Sequence, residues 1–83
     1  MMAATEASQA LAVTILTRCL PLSAEECAVA HSGTTAEWDS FAHLEIVVEV
    51  EERFGRQLTL DEIEGIVDAA SLATLIDALG RQA

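Results

Sequence analysis

The chain has 83 residues, which is enough for one domain (residues 1–83) with a modest hydrophobic core. It carries 14 acidic residues, four arginines and no lysine, and its formal net charge at pH 7 is −10. Nucleic acids and anionic membranes bind proteins through cationic groups, so this charge argues against both as partners and favours proteins with basic surfaces.

The first predicted helix runs over residues 3–20, where apolar side chains recur at helical spacing. Ser8 lies off this apolar stripe, and Pro21 ends the helix because it cannot continue the hydrogen-bond ladder. Residues 1–10 lack the basic flank and apolar run of a signal peptide, and no segment is long enough to cross a membrane, so we expect a cytoplasmic protein. The predicted core stripe consists of Ala7, Leu11, Ile15, Leu16 and Cys19.

Residues 22–38 form a long connection, with one turn of helix expected at residues 24–28. We expect Leu22, Val29 and Trp38 to anchor this connection, with the indole nitrogen of Trp38 hydrogen-bonded or hydrated. Cys19 and Cys27 are too few for a disulfide scaffold and lack the spacing of metal ligands. We interpret both as core or near-core residues, although an exposed thiol at one of them stays open.

The next segment has the start and stop signals of a helix. Asp39 and Ser40 suit an N-cap, because their side-chain oxygens accept hydrogen bonds from first-turn amides. Gly55 suits the position just past the helix end, where a left-handed backbone costs glycine little. Ser40 therefore lies at a helix N-terminus, which favours phosphate groups.

Wound at about 100° per residue, this helix separates into faces. Glu45, Glu49 and Glu52 share one side, and Phe41 and Val48 lie at the boundary beside them. Burying Phe41 and Val48 would draw these carboxylates toward the core, so we expect both to be exposed and to form a docking surface. The opposite face is predicted to be buried, through Leu44, Ile46, Val47, Val50 and Phe54.

The remaining chain predicts two further helices. Leu58 and Leu60 occupy a linker, Thr59 or Asp61 caps a short helix within residues 61–67, and Gly65 interrupts it. Asp68 or Ser71 begins the last helix, Gly80 ends it, and residues 81–83 form a frayed tail. The predicted fold is therefore all-α, a small three-to-four-helix bundle with a long first loop and one short helix. The apolar stripe of the last helix consists of Leu72, Leu75, Ile76 and Leu79.

Three segments of the chain resemble the second helix of the acyl carrier proteins: Asp39-Ser40-Phe41, Leu44-Glu45-Ile46-Val47 and Glu51-Glu52-Arg53-Phe54. The match continues without a gap to Leu79, and it covers about half of the chain closely and the rest in pattern. In that family the motif is Asp-Ser-Leu, and its serine carries 4′-phosphopantetheine added from coenzyme A by a Mg²⁺-dependent transferase. Phe41 departs from the family pattern, because it replaces the usual leucine.

The resemblance implies a carrier that performs no catalysis itself. Ser40 would hold the arm, with Asp39 as its motif neighbour, and the thiol of the arm would carry acyl groups as thioesters for fatty-acid, polyketide or related biosynthesis. The implied partners are a phosphopantetheinyl transferase and acyl-loading and acyl-processing enzymes with basic docking surfaces, which bind a monomeric carrier. These partners would contact Phe41, Glu45, Val48, Glu49 and Glu52.

Several alternatives stay open. The cargo could be an aminoacyl or peptidyl group, or the same acidic and apolar surface could serve an unmodified helical adaptor. The opening methionine and the length suggest a free-standing carrier, and excision from a larger synthase stays open as the alternative. Asp39, Ser40 and His43 lack the glycine-rich elbow of a hydrolase, and the acidic residues 61–64 lack the pattern of an EF-hand, so we expect neither catalysis nor a metal site.

Overall fold

The computed structural model describes residues 4–81, and these form a small all-helical bundle, as predicted. The five helices are α1 (Glu6–Cys19), α2 (Ala24–Val29), α3 (Ser40–Phe54), α4 (Leu60–Gly65) and α5 (Ala69–Arg81). The predicted start at Ala3 and the tail residues 82 and 83 lie outside the described residues. The structure has two short helices, whereas the sequence predicted one. The additional one is α2, which includes residues 24–28, where only a single turn of helix was expected. Within residues 4–81, no helix is both long enough and apolar enough to span a bilayer.

Local capping explains where the short helices begin. The Ser23 hydroxyl accepts from the Glu26 amide while the Glu26 carboxylate accepts from the Ser23 amide, a reciprocal arrangement that starts α2. Thr59 and Glu62 form the same arrangement at α4, so Thr59 and not Asp61 is the cap. The last helix begins at Ala69 and continues through Gly80 to Arg81, one residue beyond its predicted end.

The core lies where α1, α3 and α5 meet, and α1 packs most extensively against α5. Asp68 and Ser71, the two predicted starts of α5, act together, because Asp68 Oδ1 accepts from the Ser71 amide at 2.8 Å. Burying apolar side chains from all three long helices in one cluster is the main stabilising contribution in a domain of this size. The largest fully buried side chains are Ile15, Leu16, Cys27, Ile46, Val50, Ile66 and Leu72.

The buried face of α1 differs from the predicted one at two positions. Ala7 is exposed, although it was predicted to belong to the core stripe. Ser8 and Ala12, which were outside that stripe, are buried instead. The Ser8 hydroxyl can lie in the interface because it donates a hydrogen bond to the Asp77 carboxylate on α5. This hydrogen bond is the main cause that holds the pKa of Asp77 below its usual range.

The connection between α2 and α3 is ordered by contacts with the segment that precedes α5. His31 forms an isolated antiparallel bridge with Asp68, and the Ser32 amide donates to the Val67 carbonyl at 2.9 Å. Trp38 is buried, as predicted. The expected anchor Val29 is exposed instead, because the short helix α2 turns Cys27 toward the core and Val29 away from it.

Candidate functional site

The predicted site includes the N-terminus of α3, whose first residue is fixed by a side-chain cap. Asp39 is the N-cap in extended backbone conformation, and its Oδ1 accepts from the Ala42 amide at 2.8 Å. Ser40 is therefore the first residue of a 15-residue helix, and it is exposed. The helix ends at Gly55 in a left-handed conformation with φ of 68°, as the sequence predicts.

The polar groups at the start of α3 include several without hydrogen-bond partners in the described part of the chain. Among residues 4–81, neither the Ser40 hydroxyl nor the amides of Ser40 and Phe41 have a hydrogen-bond partner. The first amides of a helix have no partner inside the helix, and together with the macrodipole they favour an anion at this end. The N-terminal end of α3 is therefore an electrostatically favourable place for a negatively charged group.

Three apolar side chains on α3 are exposed to solvent: Phe41 at 70%, Leu44 at 62% and Val48 at 48%. We call these three residues the apolar patch. The exposure of Phe41 and Val48 confirms the predicted boundary face, whereas the predicted burial of Leu44 is wrong. Leu44 and Val48 are four residues apart and differ by only about 40° around the helix, so the two share a face.

The glutamates beside the apolar patch fall into two groups. Glu45 and Glu52 are exposed and have no ion-pair partner within residues 4–81. Glu49 is half-buried, and its Oε2 lies 3.0 Å from Nε of Arg53 and 3.5 Å from Nε of Arg18 on α1. Glu49, which is also predicted to contact partners, links α1 to α3 through its carboxylate, whereas the carboxylates of Glu45 and Glu52 form no ion pair with any described residue.

A groove of about 570 Å³ separates α1 from the apolar patch, and Cys19 lies in its wall. Cys19 is half-buried, so it is the near-core residue that the sequence predicts. Burial, together with the Glu45 and Glu49 carboxylates, raises the pKa of the Cys19 thiol to about 11. The thiol is therefore protonated at neutral pH and is a weak nucleophile. The groove is lined by Arg18, Cys19, Phe41, Leu44, Glu45, Val48 and Glu49.

His43, one helical turn after Ser40, faces the interior of the protein. The Trp38 indole Nε1 donates to His43 Nδ1 at 3.0 Å, and His43 Nε2 lies 2.9 Å from the carbonyl oxygen of Ile63. The Trp38 and His43 rings are also stacked, with centroids 6.1 Å apart. Both imidazole nitrogens thus have partners other than Ser40, an arrangement that differs from a serine–histidine catalytic pair.

The structure adds residues that the sequence analysis did not assign to the site. Arg18 and Cys19 reach the groove because the end of α1 packs beside α3, and helical periodicity within α1 carries no signal of that neighbour. The Ile63 carbonyl is likewise found only from the tertiary structure, which brings α4 within hydrogen-bond distance of His43. Within the described part of the chain, no three His, Cys, Asp or Glu side chains lie together as a potential metal site.

No protein-family model matches this chain, and no curated protein matches it at a significant level. The interpretation of the site therefore depends on the residues and geometry described above.

Proposed function

We propose that this chain is an acyl carrier protein that bears 4′-phosphopantetheine on Ser40. The observation that carries the proposal is the position of Ser40. It is an exposed serine at the first position of a long helix, capped by Asp39 and adjacent to an apolar patch with unpaired glutamates. The resemblance of residues 39–54 to the second helix of the acyl carrier proteins supports the same function.

Each part of this surface has a separate role under the proposal. The Ser40 hydroxyl would lose its proton to a base of the transferase, and its oxygen would form a bond to the phosphorus of coenzyme A that carries the pantetheine. The adenosine bisphosphate would leave with the electron pair of the broken P–O bond. Asp39 keeps the first turn of α3 in place through its bond to the Ala42 amide. When bound, the arm supplies a terminal thiol that holds the cargo as a thioester.

Partner enzymes would recognise the apolar patch together with Glu45 and Glu52. Phe41, Leu44 and Val48 offer apolar surface that is already outside the core, so a partner gains its burial without unfolding any part of the chain. The two unpaired glutamates would attract arginine or lysine side chains and increase the rate of encounter. Under this proposal the chain acts as a cytoplasmic monomer, and its partners are a phosphopantetheinyl transferase and enzymes that load and process acyl groups.

The experiment that tests the proposal is covalent loading of the intact protein. We expect incubation with coenzyme A, Mg²⁺ and a broad-specificity phosphopantetheinyl transferase to add one arm, which intact-protein mass spectrometry detects. Peptide mapping should locate the arm on Ser40. Ser40→Ala should keep its helical circular dichroism spectrum and accept no arm.

Ser23 provides a matched control for the position of the serine. It is also exposed, and it also lies at a helix N-terminus, but it caps the six-residue helix α2 and is not followed by an apolar patch. Ser23→Ala should therefore be loaded as fast as the wild type. If the wild type takes up no arm under conditions that load a known carrier, the carrier proposal is wrong and an unmodified adaptor becomes the better interpretation of the same surface.

A further inference from the structure

A chain of two hydrogen bonds crosses from the loop before Ser40 to helix α4. An indole nitrogen can only donate, so Nδ1 of His43 must be the acceptor of the bond from Trp38. A neutral imidazole with an unprotonated Nδ1 carries its hydrogen on Nε2, which then donates to the Ile63 carbonyl. The donors and acceptors therefore alternate correctly along the chain. Trp38 donates to His43, and His43 donates to the Ile63 carbonyl.

Helix α4 buries little surface of its own, and its other packing contacts are with α5 and, through the partly buried Ile63, with the core. It has six residues, and none of them is fully buried. The last carbonyl groups of a helix lack partners inside the helix, and the Ile63 carbonyl receives one long bond of 3.3 Å from the Ile66 amide. The bond from His43 at 2.9 Å is shorter and comes from a different helix, so His43 acts as a side-chain cap on the C-terminal end of α4.

Two of the three residues in this hydrogen-bond chain lie close in sequence to the proposed attachment site. Trp38 lies two residues before Ser40, and His43 lies three residues after it. The hydrogen bond from His43 to Ile63 therefore joins the C-terminal end of α4 to the first turn of α3, the turn that also carries Ser40.

We infer that His43 is a positioning residue, which holds the loop before Ser40 and helix α4 at a fixed spacing from the first turn of α3 and thereby preforms the surface that a modifying enzyme binds. The inference rests on the proposed function of Ser40. If α4 moves away for part of the time, the competent surface is populated for only a fraction of the time, and the apparent affinity falls by that fraction. The chemistry at the Ser40 oxygen is unaffected once the complex has formed. Loss of the His43 contacts should therefore raise KM and leave kcat unchanged.

The test compares His43→Leu with His43→Gln in the full chain. Leucine removes both hydrogen bonds, whereas the glutamine amide retains one acceptor and one donor. Two measurements are needed: hydrogen exchange of the Ile63 and Ile66 amides, and steady-state kinetics of loading by the phosphopantetheinyl transferase. Trp38 is the only tryptophan, so the wavelength of its fluorescence emission reports whether its ring stays buried in each variant.

We expect His43→Leu to accelerate exchange of the α4 amides about tenfold, which corresponds to about 1.4 kcal/mol, while the amides of α1 and α5 keep their wild-type rates. We expect KM for the carrier to rise, by at most the same factor of about ten, with kcat unchanged, because the competent surface is less populated. His43→Gln should fall between the wild type and His43→Leu in both measurements.

Ile76→Val is the control for general destabilisation, because Ile76 is a buried core residue of α5 outside the hydrogen-bond chain. Compared at equal distances below their melting temperatures, this variant should keep the wild-type KM. The positioning role is wrong if His43→Leu accelerates exchange equally in all helices, if α4 exchange does not change, or if α4 loosens while KM stays constant. A wild type that accepts no arm would instead refute the proposed function, and the positioning role would fall with it, while the exchange measurement would still decide whether His43 holds α4.

Discussion

Val47 and Val48 allow one substitution to be compared on two faces of the same helix. Val47 is 5% exposed and packs in the core, whereas Val48 is 48% exposed and belongs to the apolar patch. Changing either residue to alanine removes the same two methyl groups from adjacent positions of α3. A difference between the two variants therefore reports the environment of each side chain and not the chemistry of the substitution.

The expected magnitudes follow from burial. Removing two buried methyl groups costs about 1.6 kcal/mol of transfer free energy, and the cavity left in the core adds about 1 kcal/mol. Alanine recovers about 0.5 kcal/mol because it is the better helix former, so Val47→Ala should lower the free energy of unfolding by about 2 kcal/mol. Val48→Ala loses about half of the transfer term and leaves no cavity, so its net change should lie within about 0.5 kcal/mol of zero.

Thermal unfolding and loading kinetics separate the two roles. Val47→Ala should lower the melting temperature by about 10 °C, since 1 kcal/mol shifts it by about 4–8 °C in a domain of this size. It should be loaded at the wild-type rate at temperatures where it is folded. Val48→Ala should keep its melting temperature but lower kcat/KM for loading or for transfer to a partner several-fold. A large loss of stability in Val48→Ala with unaltered kinetics would show that the apolar patch belongs to the core and is not a docking surface.

Two further predictions concern Asp39 at the start of α3 and Cys19 in the groove beside the apolar patch. Asp39→Asn preserves an oxygen acceptor for the Ala42 amide and should change the free energy of unfolding little. Asp39→Ala should lower the free energy of unfolding by about 1 kcal/mol, as measured by urea unfolding. Equal losses in both variants would show that the charge of Asp39, and not its capping hydrogen bond, matters. At pH 8 the thiol of Cys19 should react with iodoacetamide roughly a hundredfold more slowly than free cysteine, because few molecules carry the thiolate. Glu45→Gln should accelerate this reaction by lowering the pKa of Cys19, Glu52→Gln should not, and equal rates in both variants would contradict the assigned cause.

The sequence by itself determined the features that depend on neighbouring residues along the chain. The start of α3 at Asp39 or Ser40, Gly55 as the left-handed stop and Pro21 as the end of the first helix were all predicted, because capping and backbone restriction act within one turn. The start of α4 at Thr59 and the start of α5 at Asp68 follow from the same local chemistry. Phe41 and Val48 were predicted to be exposed because carboxylates on the same face are too costly to bury.

Only the tertiary structure decided which apolar or polar side chains face another helix. Leu44 fits an apolar stripe by periodicity, but none of the described helices covers it, and it is 62% exposed. Ser8 is polar but buried, because the carboxylate of Asp77 on α5 accepts its hydrogen bond. The Ile63 carbonyl is bonded by a histidine 20 residues earlier in the chain. Periodicity identifies the faces of a helix, whereas the burial of each face depends on partners that folding brings from distant parts of the chain.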